Sequence, residues 1–103
     1  MVKLKYTDTF KRWMRSLADR SAKARIIVRA ERLVQGNSGD CKSVGEQVSE
    51  LRIHYGPGYR VYFTRCGNTV ILLLCGGTKS TQQADIRQAR QLAKNWTDSD
   101  END

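Results

Sequence analysis

The segment LRIHYGPGYRVYF, residues 51–63, decides the fold because apolar and polar residues alternate on both sides of a Gly-Pro-Gly turn. Alternation with a period of two is typical of strands with one buried face, and two such runs around a glycine turn predict a β-hairpin. The other face carries side chains that are unusual on a solvated strand: Arg52, His54, Arg60 and Tyr62. We therefore expect any function of the hairpin to lie on that face.

The register of the hairpin is predicted from the faces that must match. Both apolar sets lie on one face if a three-residue loop, 56–58, joins the strands, whereas a two-residue turn buries little. This register places His54 opposite Arg60 and Arg52 opposite Tyr62, with Cβ atoms about 4.5–5.5 Å apart. Two cations at that distance repel each other, and an anion bound between them, such as an RNA phosphate, would remove the repulsion.

The rest of the chain predicts a strand and two helices before the hairpin, and a strand and a helix after it. The predicted elements are a strand at 2–6, amphipathic helices around 10–17 and 26–34, a polar loop at 37–47, strands at 48–55, 59–65 and 69–76, and a last helix carrying Ile86, Ala89, Ala93 and Trp96. We expect an α+β domain over residues 1–96, with helices on one side of a small antiparallel sheet, and a disordered acidic tail at 97–103.

Charge is the strongest global feature of the sequence. The 103 residues carry a formal net charge of +7, and the last seven, TDSDEND, contain four acids. Without that tail, 18 basic residues stand against 7 acidic ones, a formal charge of +11. Such a potential attracts phosphate polyanions or an acidic protein partner. Many of these cations lie on the predicted helices, where a basic run also forms an ordinary solvated face.

Cysteine usage and hydropathy indicate the compartment. Three cysteines occur without a CxxC pair, which favours a reducing environment over a disulfide framework or a zinc site. The N-terminus has no signal-peptide core, and the apolar run 70–75 is too short to cross a bilayer. We therefore expect a cytoplasmic protein without membrane contact, with Cys75 buried in the core.

The segment CGGTKSTQ, residues 75–82, leads from the apolar strand into the last helix. Gly76 and Gly77 allow a close backbone approach, the helix start presents N–H groups, and Lys79 adds a cation. Ser80 and Gln83 match a capping box. The segment is not a Walker loop, because GxxxxGK[ST] is absent. Beside the hairpin it predicts a second element of one anion site.

Two strings, SELRIHYGPGYRVYF (49–63) and VILLLCGGTKSTQQADI (70–86), resemble the RelE/ParE superfamily of toxins from type II toxin–antitoxin modules. Within it they are most similar to addiction module killer proteins, which are related to HigB and RelE. The resemblance is dense over residues 44–96. It implies a RelE-like α+β fold: a small antiparallel sheet with an N-terminal helical hairpin on one side and a further C-terminal helix.

The resemblance also implies an activity and partners. RelE-like members are endoribonucleases, or mRNA interferases, that cut mRNA at the ribosome without a metal or other cofactor. A cognate antitoxin neutralises them, in this subgroup a helix-turn-helix DNA-binding protein. Contact with operator DNA is therefore expected only through the antitoxin.

Cleavage by attack of a ribose 2′-OH needs a proton acceptor, a proton donor and cations on the phosphoryl oxygens. The resemblance gives Arg52 and His54 the two basic positions before the turn, Arg60 the arginine after it, and Lys79 the basic position past the strand-ending glycine. We expect His54 to act as general acid or base, Arg60 and Lys79 to stabilise charge, and Arg52 to bind RNA or assist. Tyr62 is expected to contact RNA.

Two acidic residues leave alternatives open. Asp85 stands near the position where RelE has a tyrosine, so it is either a base, a group that orients His54, or a first-turn acid favoured by the helix dipole. Glu50 extends the unusual face by one step and would neutralise an arginine. Two other functions also stay open: inhibition of DNA gyrase, as in ParE-like toxins, and RNA or ribosome binding without catalysis.

Overall fold

The structure, a computed structural model, describes residues 2–96. Its elements are β1 Lys3–Tyr6, α1 Asp8–Ser16, α2 Arg20–Val34, β2 Cys41–Gly45, β3 Val48–Ile53, β4 Tyr59–Cys66, β5 Val70–Thr78, a 3₁₀ turn Lys79–Thr81, and α3 Gln82–Asn95. Within these residues the strands form a sheet in the order β1-β5-β4-β3-β2, in which β1 and β5 are parallel and the other pairs antiparallel. The predicted α+β fold is confirmed. The tail 97–103 lies outside the described residues, so its disorder and the domain limit at residue 96 stay predictions.

Side-chain caps fix where the first two helices begin. Thr7 accepts a hydrogen bond from the N–H of Phe10 and donates one to the carbonyl of Leu74 at 2.5 Å, so it joins α1 to β5. The Asp19 carboxylate accepts from the first N–H groups of α2. The predicted cap at Ser80 is wrong, because the hydrogen bond at this helix start runs from the N–H of Thr78 to the hydroxyl of Thr81.

The predicted loop at 37–47 contains an additional strand, β2. It pairs antiparallel with β3 at the sheet edge, and most of its side chains are exposed. An edge strand with so few buried positions shows little apolar alternation, which is why the sequence pattern missed it.

The sheet is covered on both faces, whereas the sequence predicted helices on one side. One core joins α1 and α2 to the face that carries Leu51, Val61 and Phe63. The second core joins Ala89 of α3 to the opposite face, with Val48, Tyr62, Leu72, Leu74 and Cys75. β5 contributes to both cores, which explains its uninterrupted apolar run.

The register of β3 and β4 differs from the predicted one by two residues. Arg52 lies opposite Arg60, and Glu50 lies opposite Tyr62; His54 falls outside the strand. The connection is a five-residue segment, 54–58, and not a three-residue loop. Because side chains alternate with a period of two, a shift of two changes the neighbours but keeps the side chains of the paired residues on their predicted faces.

Gly76 is where α1 meets the sheet. A Cβ atom at this position would lie 2.3 Å from the Trp13 ring, far inside van der Waals contact. Trp13 also contacts Tyr59 edge-on, with ring centroids 6.3 Å apart. The glycine thus admits an indole against the sheet, and not a ligand as the sequence suggested.

We predict that Gly76→Ala lowers the free energy of unfolding by about 1–3 kcal/mol, the usual cost of overpacking. Urea denaturation measures this loss. In a Trp13→Ala background the same glycine change should cost much less, because its clash partner is gone. An equal cost in both backgrounds would contradict the packing described here.

Candidate functional site

The site is organised around Glu50, a fully buried carboxylate in the middle of β3. Its Oε1 accepts a hydrogen bond from Arg52 Nε at 2.9 Å. Its Oε2 accepts from the Tyr62 hydroxyl at 3.0 Å and from Gln82 Nε2 at 2.7 Å. Three donors from two strands and a helix therefore satisfy the carboxylate, as burial of a charge requires.

Arg52 and Arg60 form a cross-strand pair on the face that α3 partly covers. Their Cα positions are directly opposite each other, so the like charges are close. Glu50 offsets the repulsion, because its oxygens lie 2.9 Å from Arg52 Nε and 3.7 Å from Arg60 Nε. Arg60 is about nine-tenths buried, and its Nε has no hydrogen-bond partner in the structure. An anion would bind to this pair of closely spaced cations.

Tyr62 does not line the site as predicted. Its side chain has no solvent exposure and lies under α3, in the core formed with Leu72 and Ala89. Burial and the neighbouring Glu50 charge raise the pKa of its hydroxyl, which stays a hydrogen-bond donor to Glu50. Tyr62 therefore supports the site through its hydrogen bond to Glu50, and its buried side chain is not placed to contact RNA.

Asp85 lies over the end of β5, next to the arginine pair. Gly77 is the strand partner of Arg60, and a Cβ atom on Gly77 would lie 1.8 Å from Asp85 Oδ2. The Thr81 hydroxyl donates to the same oxygen at 2.5 Å. Gly77 therefore makes room for a carboxylate of the protein itself. Asp85 is also a first-turn acid of α3, as one of the alternatives from the sequence has it, and its roles as a base or as a group that orients His54 stay predictions.

Lys79 is exposed at the same end of the sheet. It follows β5 directly, and its Cβ lies 3.4 Å from the position of a Cβ on Gly58, in the segment that joins β3 to β4. The predicted approach of the CGGTKSTQ segment to the hairpin is confirmed at the level of the backbone.

His54 is the first residue after β3, in the segment that joins β3 to β4, and it is not the strand partner of Arg60. Its ring is three-quarters exposed, and Nε2 pairs with Asp40 Oδ2. This hydrogen bond, together with the charges of His54, Arg52 and Arg29, keeps the pKa of Asp40 below its ordinary value. The predicted His54–Arg60 pair is wrong; the structure gives the imidazole a carboxylate partner in the segment before β2, which the sequence did not reveal.

Arg29 of α2 joins β3 to the segment before β2. Its guanidinium donates to the main-chain carbonyl of Arg52 at 2.6 Å, and to the carbonyls of Ser38 and Asp40. The N–H of Arg52 also donates to the Asp40 carbonyl at 3.0 Å, so the main chain at Asp40 is bonded to β3 as well as to α2. The basic face of α2 is therefore partly structural and not only solvated.

Two other features bear on the chemistry. Cys75 is buried, and burial raises the pKa of its thiol to about 12, so it is the core residue that the sequence predicted and no nucleophile. Within residues 2–96, no three His, Cys, Asp or Glu side chains come together as a metal site. In the same part of the chain, no helix has the length and apolarity to cross a bilayer.

The lowered pKa of Glu50 makes the stability of the folded protein depend on pH. Burial pushes this pKa up, but the hydrogen bonds from Arg52, Gln82 and Tyr62 and the charge of Arg60 outweigh burial and hold the pKa below its ordinary value. A carboxyl group whose pKa is lower in the folded state stabilises the fold above its unfolded-state pKa, and the stabilisation is lost as the pH falls through the folded-state value.

We therefore predict that the free energy of unfolding of the wild type falls more steeply below pH 4.5 than that of Glu50→Gln. Urea denaturation of both proteins between about pH 3 and pH 6 measures the difference. Parallel curves would contradict the assignment of the buried charge.

Comparison with known proteins agrees with this architecture. The model of the family described as Phage derived protein Gp49-like (DUF891) matches residues 12–96. A Haemophilus influenzae protein described as "Uncharacterized protein" is 48% identical over 93 residues, which make up 90% of this chain and 94% of that one. A mutant of the E. coli toxin RelE, solved in the free state, superposes with a TM-score of 0.73 over 92% of this chain and 98% of that one, at 10% identity.

The RelE-like fold expected from the sequence is thus confirmed, and the narrower likeness to addiction module killer proteins stays a prediction. At 10% identity the structural likeness concerns the fold alone. The family match covers most of the chain, from α1 to the end of α3. The chain belongs to the phage-derived Gp49-like family and has the fold of RelE.

Proposed function

We propose that this protein is the toxin of a type II toxin–antitoxin system and acts as an endoribonuclease on mRNA. The observation that carries the proposal is the arginine pair: Arg52 and Arg60 face each other over buried Glu50, and Arg60 Nε has no hydrogen-bond partner. Membership of the Gp49-like family and the RelE fold support it. A phosphodiester bound at the outer edges of the two guanidiniums would offset the repulsion between them.

The reaction requires attack of a ribose 2′-OH on the adjacent phosphate. Negative charge then accumulates on the phosphoryl oxygens, where guanidiniums give the greatest stabilisation. Arg52 and Arg60 bind these oxygens, and Lys79 at the edge of the site adds a third cation for the RNA backbone. No bound metal or cofactor takes part in the proposed reaction.

Proton transfer is assigned to His54 and Asp85. The nucleophile and the leaving group stand on opposite sides of the phosphorus in an in-line displacement. His54 follows Arg52 on the β3 side of the pair, and Asp85 lies over Gly77 on the β5 side. We assign acceptance of the 2′-OH proton to Asp85 and donation to the 5′ oxygen to His54, whose positive charge Asp40 would balance.

The partners follow from the proposed class. A cognate antitoxin, a helix-turn-helix DNA-binding protein, neutralises the toxin in the cytoplasm and carries it to operator DNA. The target is mRNA on the ribosome. The +11 charge of the chain without its tail suits both an RNA target and an acidic partner.

Two other functions are separated by experiment. A ParE-like gyrase inhibitor needs no cation pair over a buried carboxylate, so Arg52 and Arg60 disfavour it. An RNA-binding module without catalysis needs the same cations but no proton-transfer groups. Induced expression with mapping of transcript ends, with and without the neighbouring small gene, distinguishes cleavage from binding and from gyrase-dependent DNA breaks.

We predict that Arg60→Ala lowers the rate of mRNA cleavage by about 100- to 1000-fold, since one charge-stabilising donor is lost. Growth arrest on induction and transcript-end mapping measure the effect. Arg65→Ala is the matched control, because Arg65 is an exposed arginine of the same strand, outside the site. Equal loss in both variants, or retained cleavage in Arg60→Ala, would contradict the assignment.

We also predict that His54→Gln and Asp85→Asn each lower kcat by about 100-fold or more. The pH–rate profile separates the roles: Asp85→Asn should remove the acidic limb and His54→Gln the basic limb. Asp8→Asn is the control, because Asp8 is also a first-turn helix acid and is exposed. Wild-type profiles in both site variants would remove these residues from the mechanism.

A further inference from the structure

The Glu50 carboxylate is a costly group to bury at this place in the sheet. It has no solvent exposure, and three hydrogen bonds are needed to satisfy it. For stability alone, an apolar side chain of similar volume serves as well as a buried charge, or better. The presence of a carboxylate under two arginines therefore points to a role beyond stability.

The geometry of its ion pairs indicates that role. Glu50 meets Arg52 and Arg60 through their Nε atoms, at 2.9 and 3.7 Å. Within residues 2–96, no terminal nitrogen of either guanidinium donates a hydrogen bond to another group of the protein. The carboxylate thus occupies the inner edge of the guanidiniums and leaves their outer edges for a ligand.

The other two contacts hold the carboxylate itself in place. Tyr62 donates from β4, the strand that carries Arg60, and Gln82 donates from the first residue of α3. Both bind the same oxygen, Oε2, so Oε1 remains directed at Arg52. Hydrogen bonds from three donors hold the carboxylate in one orientation, and the carboxylate in turn fixes the orientation of the two guanidiniums.

We propose that Glu50 is the positioning residue of this site: it holds Arg52 and Arg60 side by side so that both guanidiniums bind one RNA phosphodiester. This inference rests on the proposed ribonuclease function and deepens it. Glu50 does not touch RNA, because it is fully buried. Its effect is on the alignment of the arginines with the transition state, so it should act on kcat more than on KM.

The test compares Glu50→Gln with the wild type, using the full chain and an oligoribonucleotide substrate. A glutamine has no charge and one oxygen, so it cannot serve Arg52 and both donors to Oε2 at once. We expect kcat to fall at least about tenfold while KM stays within about threefold. Glu31→Gln, the same change at an exposed position of α2, should leave both constants unchanged.

A second readout does not depend on cleavage. Hydrogen exchange of the Arg52 Nε–H group, followed by NMR, should be at least about tenfold faster in Glu50→Gln than in Glu31→Gln. A wild-type kcat in Glu50→Gln, an effect on KM alone, or unchanged exchange would each overturn the proposal. If the wild type cuts no RNA, the ribonuclease proposal fails, and unchanged exchange would still refute the positioning role on its own.

Tyr62→Phe keeps the test decisive if Glu50→Gln does not fold. This change removes one donor to Glu50 and leaves the charge and nearly the whole side-chain volume. The positioning role predicts a fall in kcat of about threefold or more, with the Arg52 Nε–H exchange accelerated in parallel. A folded Tyr62→Phe protein with wild-type kcat and exchange would overturn the proposal.

Discussion

The site depends on one buried charge, the Glu50 carboxylate, which pairs with both Arg52 and Arg60. Arg52 and Arg60 are neighbours only because β3 and β4 pair in the observed register, and that register is tolerable because Glu50 lies between the cations and the core. The same carboxylate binds Gln82 and so ties the start of α3 to the sheet. Register, helix docking and arginine geometry are thus linked through a single side chain.

The faces of the strands could be read from the sequence, whereas the pairing could not. Alternation identifies which side chains share a face, and Leu51, Val61 and Phe63 share the core as predicted. The length of the loop between β3 and β4 could not be predicted in this way. The sequence favoured three residues around Pro57, but Tyr55 turns away from the hairpin to donate to Asp19 and to stack under Arg25 of α2. These tertiary contacts lengthen the loop, and no local pattern encodes them.

The candidate site was predicted in part for the same reason. Arg52, Arg60, Lys79 and Asp85 do lie at one end of the sheet: the two arginines stand next to the joined ends of β3 and β4, Lys79 follows β5, and Asp85 is in the first turn of α3. Tyr62 was misplaced because the sequence did not show that α3 covers this face. The partner of His54 was missed, since Asp40 lies in a polar segment with no periodic signal. Long-range partners of this kind require the fold.

The charge of the protein and the geometry of the arginine pair both support the proposed RNA substrate. The basic body of the protein attracts polyanions, and the Arg52–Arg60 pair lies next to Asp85. In the proposed function this pair binds one phosphate, and His54 and Asp85 transfer the protons. Gly76 and Gly77, which the sequence analysis expected to let the backbone approach an anion, instead admit Trp13 and Asp85. The proposed anion site is therefore made of side chains on the sheet, which would hold catalytic groups more precisely than a loop.

The most direct test of a 2′-OH mechanism at this site is end-group analysis of the fragments that the purified protein makes from an oligoribonucleotide. The account predicts a 2′,3′-cyclic phosphate or 3′-phosphate on one fragment and a 5′-hydroxyl on the other. A 2′-deoxy substitution at the cleaved position should abolish cutting. Fragments with a 3′-hydroxyl and a 5′-phosphate, or cleavage of the 2′-deoxy substrate, would contradict it.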